Sequence, residues 1–417
     1  MEGQSSSTRA ADSAGFAAAR QMHERLKAWL LNEAIPLWTT IGLDAAGIFS
    51  EAISQGGHPV VAARRAGVPA RQIYALLTAH RLGARIDVEQ VLRGADRYVV
   101  DFQRADGLFR SLLSHDGIVL SDGAALYDQA FAMLAGAAVA RHSRQRAKRV
   151  AHRVRDCLIR TCRHRAGGFV ESDRPTTQRY SSPHKHLLEA CLTWVELGDS
   201  GTWQQLADDV VELAIARFIG RGGALYECFN VDWSAQSGIA GRIVEPGHQF
   251  EWSRLLAAWA NLTRNDSVYL VADRLQKIGE THGIARPRSV VVDAILDDFT
   301  VLEDTARLWS QTERLKAAVA RAEREGDAWW AIAAEAGETL ERFLQTPIKG
   351  LWWDRMSADG EFTGAATAGS LYHLVSAIDT LDQAIYRRVA PQVSESPEFA
   401  AIESGAGGSA STGAGEG

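Results

Sequence analysis

Gly107-Leu108-Phe109 and Gly350-Leu351-Trp352-Trp353 are two instances of one short pattern, a glycine followed at once by large apolar residues, and its recurrence decides the fold. It returns as Gly47-Ile48-Phe49, Gly168-Phe169, Gly223-Ala224-Leu225-Tyr226 and, more weakly, Gly283-Ile284. Between these points the apolar residues recur at helical spacing, as in Phe131, Leu134 and Ala138, or Leu187, Leu188, Cys191, Trp194 and Val195, which marks helices with one buried face. Twelve helices are expected, near 16–31, 68–82, 87–104, 124–142, 145–164, 184–197, 202–219, 247–262, 266–281, 307–324, 327–345 and 367–384. Successive glycines lie 60, 61, 55, 60 and 67 residues apart. That period exceeds the common solenoid repeats but suits a helix, a turn, a second helix and a long crossing loop. Six such hairpins closed into a ring form an all-α (α/α)6 barrel; the competing reading is a helical array that stays open. Asp-Gly between β-like residues, as over 112–120, predicts short β-hairpins at one end.

With 46% hydrophobic and 23% charged residues over 417 positions, the composition is that of a globular protein. Forty-five basic against fifty-one acidic residues give a net charge of −6, the wrong sign for a surface that grips nucleic acid or an anionic membrane. Cys157, Cys162, Cys191 and Cys228 match neither a redox pair nor a zinc ribbon and read as reduced, structural thiols. Segments 1–15 and 396–417 are crowded with small polar residues and are expected to be disordered tails, which leaves a single catalytic domain over 16–395. The first lacks the basic patch and apolar run of a secretory signal, and no 18 apolar residues run together, so a cytoplasmic protein is expected. Ten Arg or Lys fall within Arg141 to Arg165; a charge run of this kind is read as a solvated outer helix face.

Three histidines have unusual neighbours. In Glu245-Pro-Gly-His-Gln-Phe-Glu-Trp252 a Pro-Gly break precedes a helix and sets His248 and Glu251 one turn apart on one face, where the carboxylate can orient the imidazole. Ser182-Pro-His-Lys-His-Leu-Leu-Glu189 repeats the arrangement with His186 and Glu189, and His373 opens an apolar helix after the flexible run from Gly364 to Gly369. If these helices start at the same end of the ring, the histidines converge. His184, His186 and the His-x-x-Glu pairs also offer metal ligands, but no HExxH or EF-hand loop accompanies them, and neutral-range acid/base groups are the better reading. Arg71 offers a guanidinium to a hydroxyl-rich or anionic ligand, with Arg64 and Arg65 just before it. Tryptophans beside these segments (Trp194, Trp252, Trp309, Trp352, Trp353) read mostly as core, with stacking on a sugar ring as the alternative. Neither a Walker loop nor a GxGxxG fingerprint occurs.

Together, Glu245-Pro-Gly-His-Gln-Phe-Glu-Trp252, Pro183-His-Lys-His-Leu-Leu-Glu-Ala190, Ala70-Arg-Gln-Ile-Tyr74 and Arg307-Leu-Trp-Ser-Gln-Thr-Glu313 resemble the N-acylglucosamine 2-epimerase superfamily, and within it the bacterial D-mannose isomerases, over about residues 30–385. The resemblance implies an (α/α)6 barrel and metal-independent proton transfer on a reducing sugar, with no cofactor. By position, it makes His248 and His373 the acid/base histidines, Glu251 the carboxylate on the helix of His248, and His186 the histidine of the Pro-His-x-His segment. Arg71 would bind substrate; Arg242, Trp309 and Glu313 are further substrate-binding candidates, Arg242 the weaker match. Two positions depart from the pattern: Ser182, where many relatives carry Asn, and Ser310, where the Trp is usually followed by Pro.

The expected reaction is interconversion of D-mannose, and related aldoses such as lyxose, with D-fructose through a cis-enediolate. His373 would shuttle the proton between C2 and C1, His248 would serve ring opening, and Arg71 and His186 would hold the enediolate oxygens. Sugar 2-epimerisation and sugar-phosphate isomerisation on the same site are the alternatives. A monosaccharide substrate, no nucleic-acid or membrane partner, and a monomer or homodimer complete the expectation.

Overall fold

The computed structural model describes residues 13–142 and 144–390; the expected tails at 1–12 and 396–417, and the end of the expected domain at 391–395, lie outside them. In chain order the helices are α1 (Ala14–Trp29), α2 (Ile35–Thr40), α3 (Gly67–Arg81), α4 (Val88–Phe102), α5 (Leu126–Ala140), α6 (Arg144–Thr161), α7 (Ser182–Glu196), α8 (Thr202–Leu213), α9 (Pro246–Thr263), α10 (Asp266–His282), α11 (Leu308–Glu325), α12 (Asp327–Phe343) and α13 (Ala368–Val389). A π-helical turn over Leu30–Ala34 joins α1 to α2, and the twelve expected helices are all present. The first begins inside the expected tail. Gly15 is buried against α12, where a Cβ would stand 2.6 Å from the Asp327 carbonyl oxygen, so only glycine permits the approach.

The odd-numbered helices from α3 to α13 each pack on the next, and α13 packs back on α3, so the ring is closed. Helices α4, α6, α8, α10 and α12 cover the outside of their predecessors. The outer partner of α13 comes from the other end of the chain: Lys27 and His23 of α1 reach Asp382 of α13 at 2.6 and 2.9 Å. The basic run falls mostly on outer helix α6, where Arg146 and Lys148 pair with Asp96 and Asp199, and just beyond it Arg163 pairs with Asp209.

Each glycine of the repeat lies where an outer helix hands over to the next inner one, so all six crossings share one end of the barrel. Five of them turn through positive φ, +80° at Gly47, +106° at Gly107, +68° at Gly168, +82° at Gly223 and +85° at Gly350, a conformation that costs glycine least. An apolar residue of the crossing loop, just after the glycine or, at Gly283, on the strand paired with Ile284, is clamped by the next inner helix. Gln129 accepts from the Phe109 N–H (2.7 Å) and donates to its carbonyl (2.8 Å), Gln249 does the same for Leu225 (2.9 and 2.8 Å), and Gln311 for Val291 (2.8 and 3.0 Å). In α7 the Nε2 of His184 accepts from the Phe169 N–H at 3.1 Å.

The crossing loops also pair with one another in sequence around the rim. Leu113 aligns with Arg64, Ala125 with Ser172, Phe229 with Arg179, Ile295 with Val244, Met356 with Ala306, and Ala366 with Ile53, which completes the circle. The hairpin expected over 112–120 is there, with Leu112–Leu113 antiparallel to Val119–Ser121. Aromatic pairs fill the wall between helix layers: Trp38 stacks on Trp352 at 5.0 Å and Trp194 on Trp203 at 5.4 Å. All four cysteines are free.

Candidate active site

Because every crossing enters an inner helix from the same rim, the first turns of those helices surround one opening. Pro183 and Pro246 sit at the starts of α7 and α9, where a fixed φ and a missing N–H suit the first helical turn. They set His186 and His248 just inside the rim. A cavity of about 580 Å³ there is lined by His186, His248, His373, Glu251, Arg71 and Trp309, six of the eight residues singled out in the sequence.

His373 is backed by Glu313, the seventh. Its Nδ1 lies 2.7 Å from Glu313 Oε1, whose carboxylate also holds the Lys316 ammonium at 2.8 Å, and Glu313 and Lys316 are fully buried. Burial first, then the positive charge of Lys316, drives the His373 pKa well below the usual histidine value. With Nδ1–H donated to the carboxylate, the neutral ring keeps its lone pair on Nε2, which has no protein partner among the described residues. That is the state of a proton acceptor.

His248 is backed differently from the expectation. Its Nδ1 lies 2.8 Å from Glu227 Oε2 and 3.7 Å from Glu245 Oε2, and Glu251 is not its partner. Glu251, one turn along α9, points at Lys185 (3.2 Å) and His186 (3.6 Å) instead, because α7 packs against that face. Burial works to raise the Glu227 pKa, but His248, Lys185 and Ser181 together outweigh it and the carboxylate is held below its ordinary value. Ser181 Oγ donates to the same carboxylate at 3.0 Å.

His186 has its Nδ1 3.7 Å from Glu189 and 3.6 Å from Glu251. Burial lowers its pKa to about 4 in spite of both, so at neutral pH it is an uncharged ring. Arg71 lies over the Phe131 ring, 4.2 Å from its centroid, donates to the Tyr127 hydroxyl, and is lowered to about 10 by burial. One indole links these groups: the Trp309 ring is 5.0 Å from His248, 5.8 Å from His373 and 5.1 Å from the Arg307 guanidinium. Trp194, Trp252 and Trp352 are buried in the wall, and Trp353 donates to the Gln345 carbonyl away from the cavity.

Arg242, the eighth candidate, does not reach the cavity. It sits in a short turn (Ala240–Arg242), and its guanidinium is held by Asp297 and Asp298, both at 2.7 Å, on the outside of the rim. Arg64 likewise turns away to Asp101 at 2.6 Å, whereas Arg65 lines the cavity and pairs with Glu51. Sequence reasoning missed Glu227, Glu245, Lys185, Tyr127 and Arg307, all of which line the cavity. The only local signal for Glu227 was its place just after the Gly223 repeat. Among the described residues, two clusters have metal-ligand geometry, His186 with Glu189 and Glu251, and Glu227 with Glu245 and His248. Their carboxylates already face side-chain cations: Lys185 on Glu251, Arg254 on Glu189, Arg307 on Glu245.

A closed helical ring whose rim gathers imidazoles, carboxylates and an indole around one cavity is a pocket for a small polar molecule. Residues 47–377 match the N-acylglucosamine 2-epimerase (GlcNAc 2-epimerase) family, and the chain belongs to it, a family of sugar epimerases and isomerases. A Rhizobium meliloti (strain 1021) protein described as mannose-6-phosphate isomerase is 40% identical over 375 residues, 87% of this chain and 97% of its own length. The cellobiose 2-epimerase of Bacillus thermoamylovorans B4167 superposes with a TM-score of 0.79 at 15% identity, over 87% of this chain and 100% of its own. A D-mannose isomerase crystal structure gives 0.76 at 17% identity, over 90% and 99%. No described helix is long and apolar enough to cross a membrane.

Proposed function

We propose that the protein is an aldose-ketose isomerase that interconverts D-mannose, and related aldoses such as lyxose, with D-fructose. The observation that carries this reading is a pair of imidazoles at one cavity, each backed at Nδ1 by a buried carboxylate: His373 by Glu313 and His248 by Glu227. His373, neutral and with Nε2 free, takes the C2 proton of the open-chain sugar and returns it to C1. His248 exchanges protons with the ring and carbonyl oxygens, and Arg71 and His186 donate to the enediolate oxygens. The D-mannose isomerase fold neighbour supports isomerisation of D-mannose, whereas the printed name of the Rhizobium relative, mannose-6-phosphate isomerase, supports isomerisation of the phosphorylated sugar.

The charge lining the cavity favours an unphosphorylated sugar. Arg65, Lys185 and Arg307 are each matched by a carboxylate, and Arg71 alone among the lining Lys and Arg is not. A dianionic phosphate at the rim would therefore meet little unbalanced positive charge. Epimerisation at C2 is the second reading, favoured by the two histidines, which can address both faces of C2, and by the cellobiose 2-epimerase likeness. Incubation with D-mannose in D2O, followed by NMR, separates them: fructose accumulates under the first reading and glucose under the second. D-mannose 6-phosphate in parallel tests the phosphate.

A further inference from the structure

We propose that Lys185 is a catalytic residue, the fixed cation that receives the oxyanion formed when the C2 proton leaves the sugar. This rests on the isomerase reading above. Lys185 lies between His184 and His186 at the start of α7, with 1% of its surface exposed, and it lines the cavity. An ammonium so buried is costly unless it is paired. Its Nζ has two protein partners, Ser182 Oγ at 3.0 Å and Glu251 Oε2 at 3.2 Å, and an ammonium has three protons to donate. The nearby Trp309 ring, 5.7 Å from Nζ, places it beside the indole that both acid/base imidazoles touch.

Its partner is equally unspent. Both oxygens of the fully buried Glu251 lack a well-formed hydrogen bond, and against the effect of burial Lys185, with His186 and Lys316, holds that carboxylate below its ordinary pKa. The fold itself thus leaves donors and acceptors open where a sugar would sit. Arg307 contrasts with this, spent on Glu245 and Asp293 at 2.9 Å each.

The step balances without a further reactant. His373 Nε2 takes the C2 proton, the C2–H electron pair becomes the C1=C2 bond, and the carbonyl π pair settles on O1. Negative charge then appears at O1 beside the C2 hydroxyl, where it was absent in the substrate. A preorganised ammonium attracts that state more than the neutral sugar, so its effect falls on kcat.

The test compares K185M and K185R with wild type on D-mannose, reading kcat, KM and C2 deuterium exchange in D2O, with folding checked by circular dichroism. Expected are a fall in kcat and exchange of about 100-fold for K185M with KM changed less than about threefold, and partial recovery in K185R. A folded K185M with kcat within about threefold of wild type overturns the proposal. Should K185M not fold, E251Q and K185M/E251Q are compared. A further kcat loss in the double variant supports a direct role; equal kcat shows that Lys185 acts only by neutralising Glu251, and overturns it. Wild type that turns over mannose beside an unimpaired K185M sinks the lysine alone, whereas wild type without turnover or exchange sinks the isomerase reading and this with it.

Discussion

His373 and Glu313 meet across the interface of α13 and α11, Nδ1 to Oε1 at 2.7 Å, with the carboxylate fully buried. A carboxylate in that place fixes which ring nitrogen carries the proton and turns the other toward the cavity. Removing the imidazole with H373A is expected to lower kcat by about 10²- to 10⁴-fold. E313Q, which keeps the shape but no longer enforces the tautomer, is expected to lower kcat by about tenfold or more with KM little changed. Steady-state kinetics on D-mannose with C2 exchange check both; wild-type exchange in H373A would remove it as the base.

Glu227 serves His248 as Glu313 serves His373. E227Q is expected to reduce kcat by about tenfold or more, and to do so while the Lys185, His186 and Glu251 cluster stays intact. A normal kcat in E227Q would return the orienting role to some other group.

Arg242 is engaged outside the rim by Asp297 and Asp298. R242A should leave kcat/KM on D-mannose within about threefold of wild type. A loss of about 100-fold would mean that the turn carrying it folds over the substrate.

Three buried imidazoles make the fold acid-sensitive. Burial lowers His184 and His186 to about 4 and His373 well below its ordinary value. Between about pH 6.5 and 4 the unfolded chain therefore binds protons that the native state refuses, and stability falls as pH falls. Melting temperature should decline through that window. H184Q, which keeps an acceptor for the Phe169 N–H as Gln129, Gln249 and Gln311 do for their loops, should make the decline shallower; an unchanged slope would rule His184 out as a contributor.

Gln249 adjoins His248 and bonds both backbone groups of Leu225, two residues before Glu227. Q249A strands a buried N–H and C=O, at about 1–3 kcal/mol each. Urea unfolding should report that loss, and kcat should fall with it because the Glu227 loop is released. Intact stability would mean that water replaces the amide.

The ring was legible in the sequence because its repeat is carried by residues with one physical job each. Positive-φ glycines mark the crossings and apolar stripes mark the helices. The stretch from 30 to 40 was not legible: the first helix was expected to end at 31, yet a π-helical turn over Leu30–Ala34 carries it on to Thr40. In the site, side chains on the first turns of inner helices were found because local spacing reveals them. Glu227 was not, since its tie to His248 is made by a loop that reaches α9 only in the fold. Glu251 was found but given the wrong neighbour, because spacing along α9 says nothing about α7 packed against it. Arg242 failed for the converse reason, being near in sequence to the site and turned to the outside by Asp297 and Asp298.

Helix α1 covers the inner helix that bears His373, through His23 and Lys27 on Asp382. During synthesis the earliest of the described helices must therefore wait, with its apolar side uncovered, for α12 and α13 to emerge from the ribosome. Under the proposed mechanism, a product truncated before α13 would lack its general base and would leave α1 only α12 to pack on.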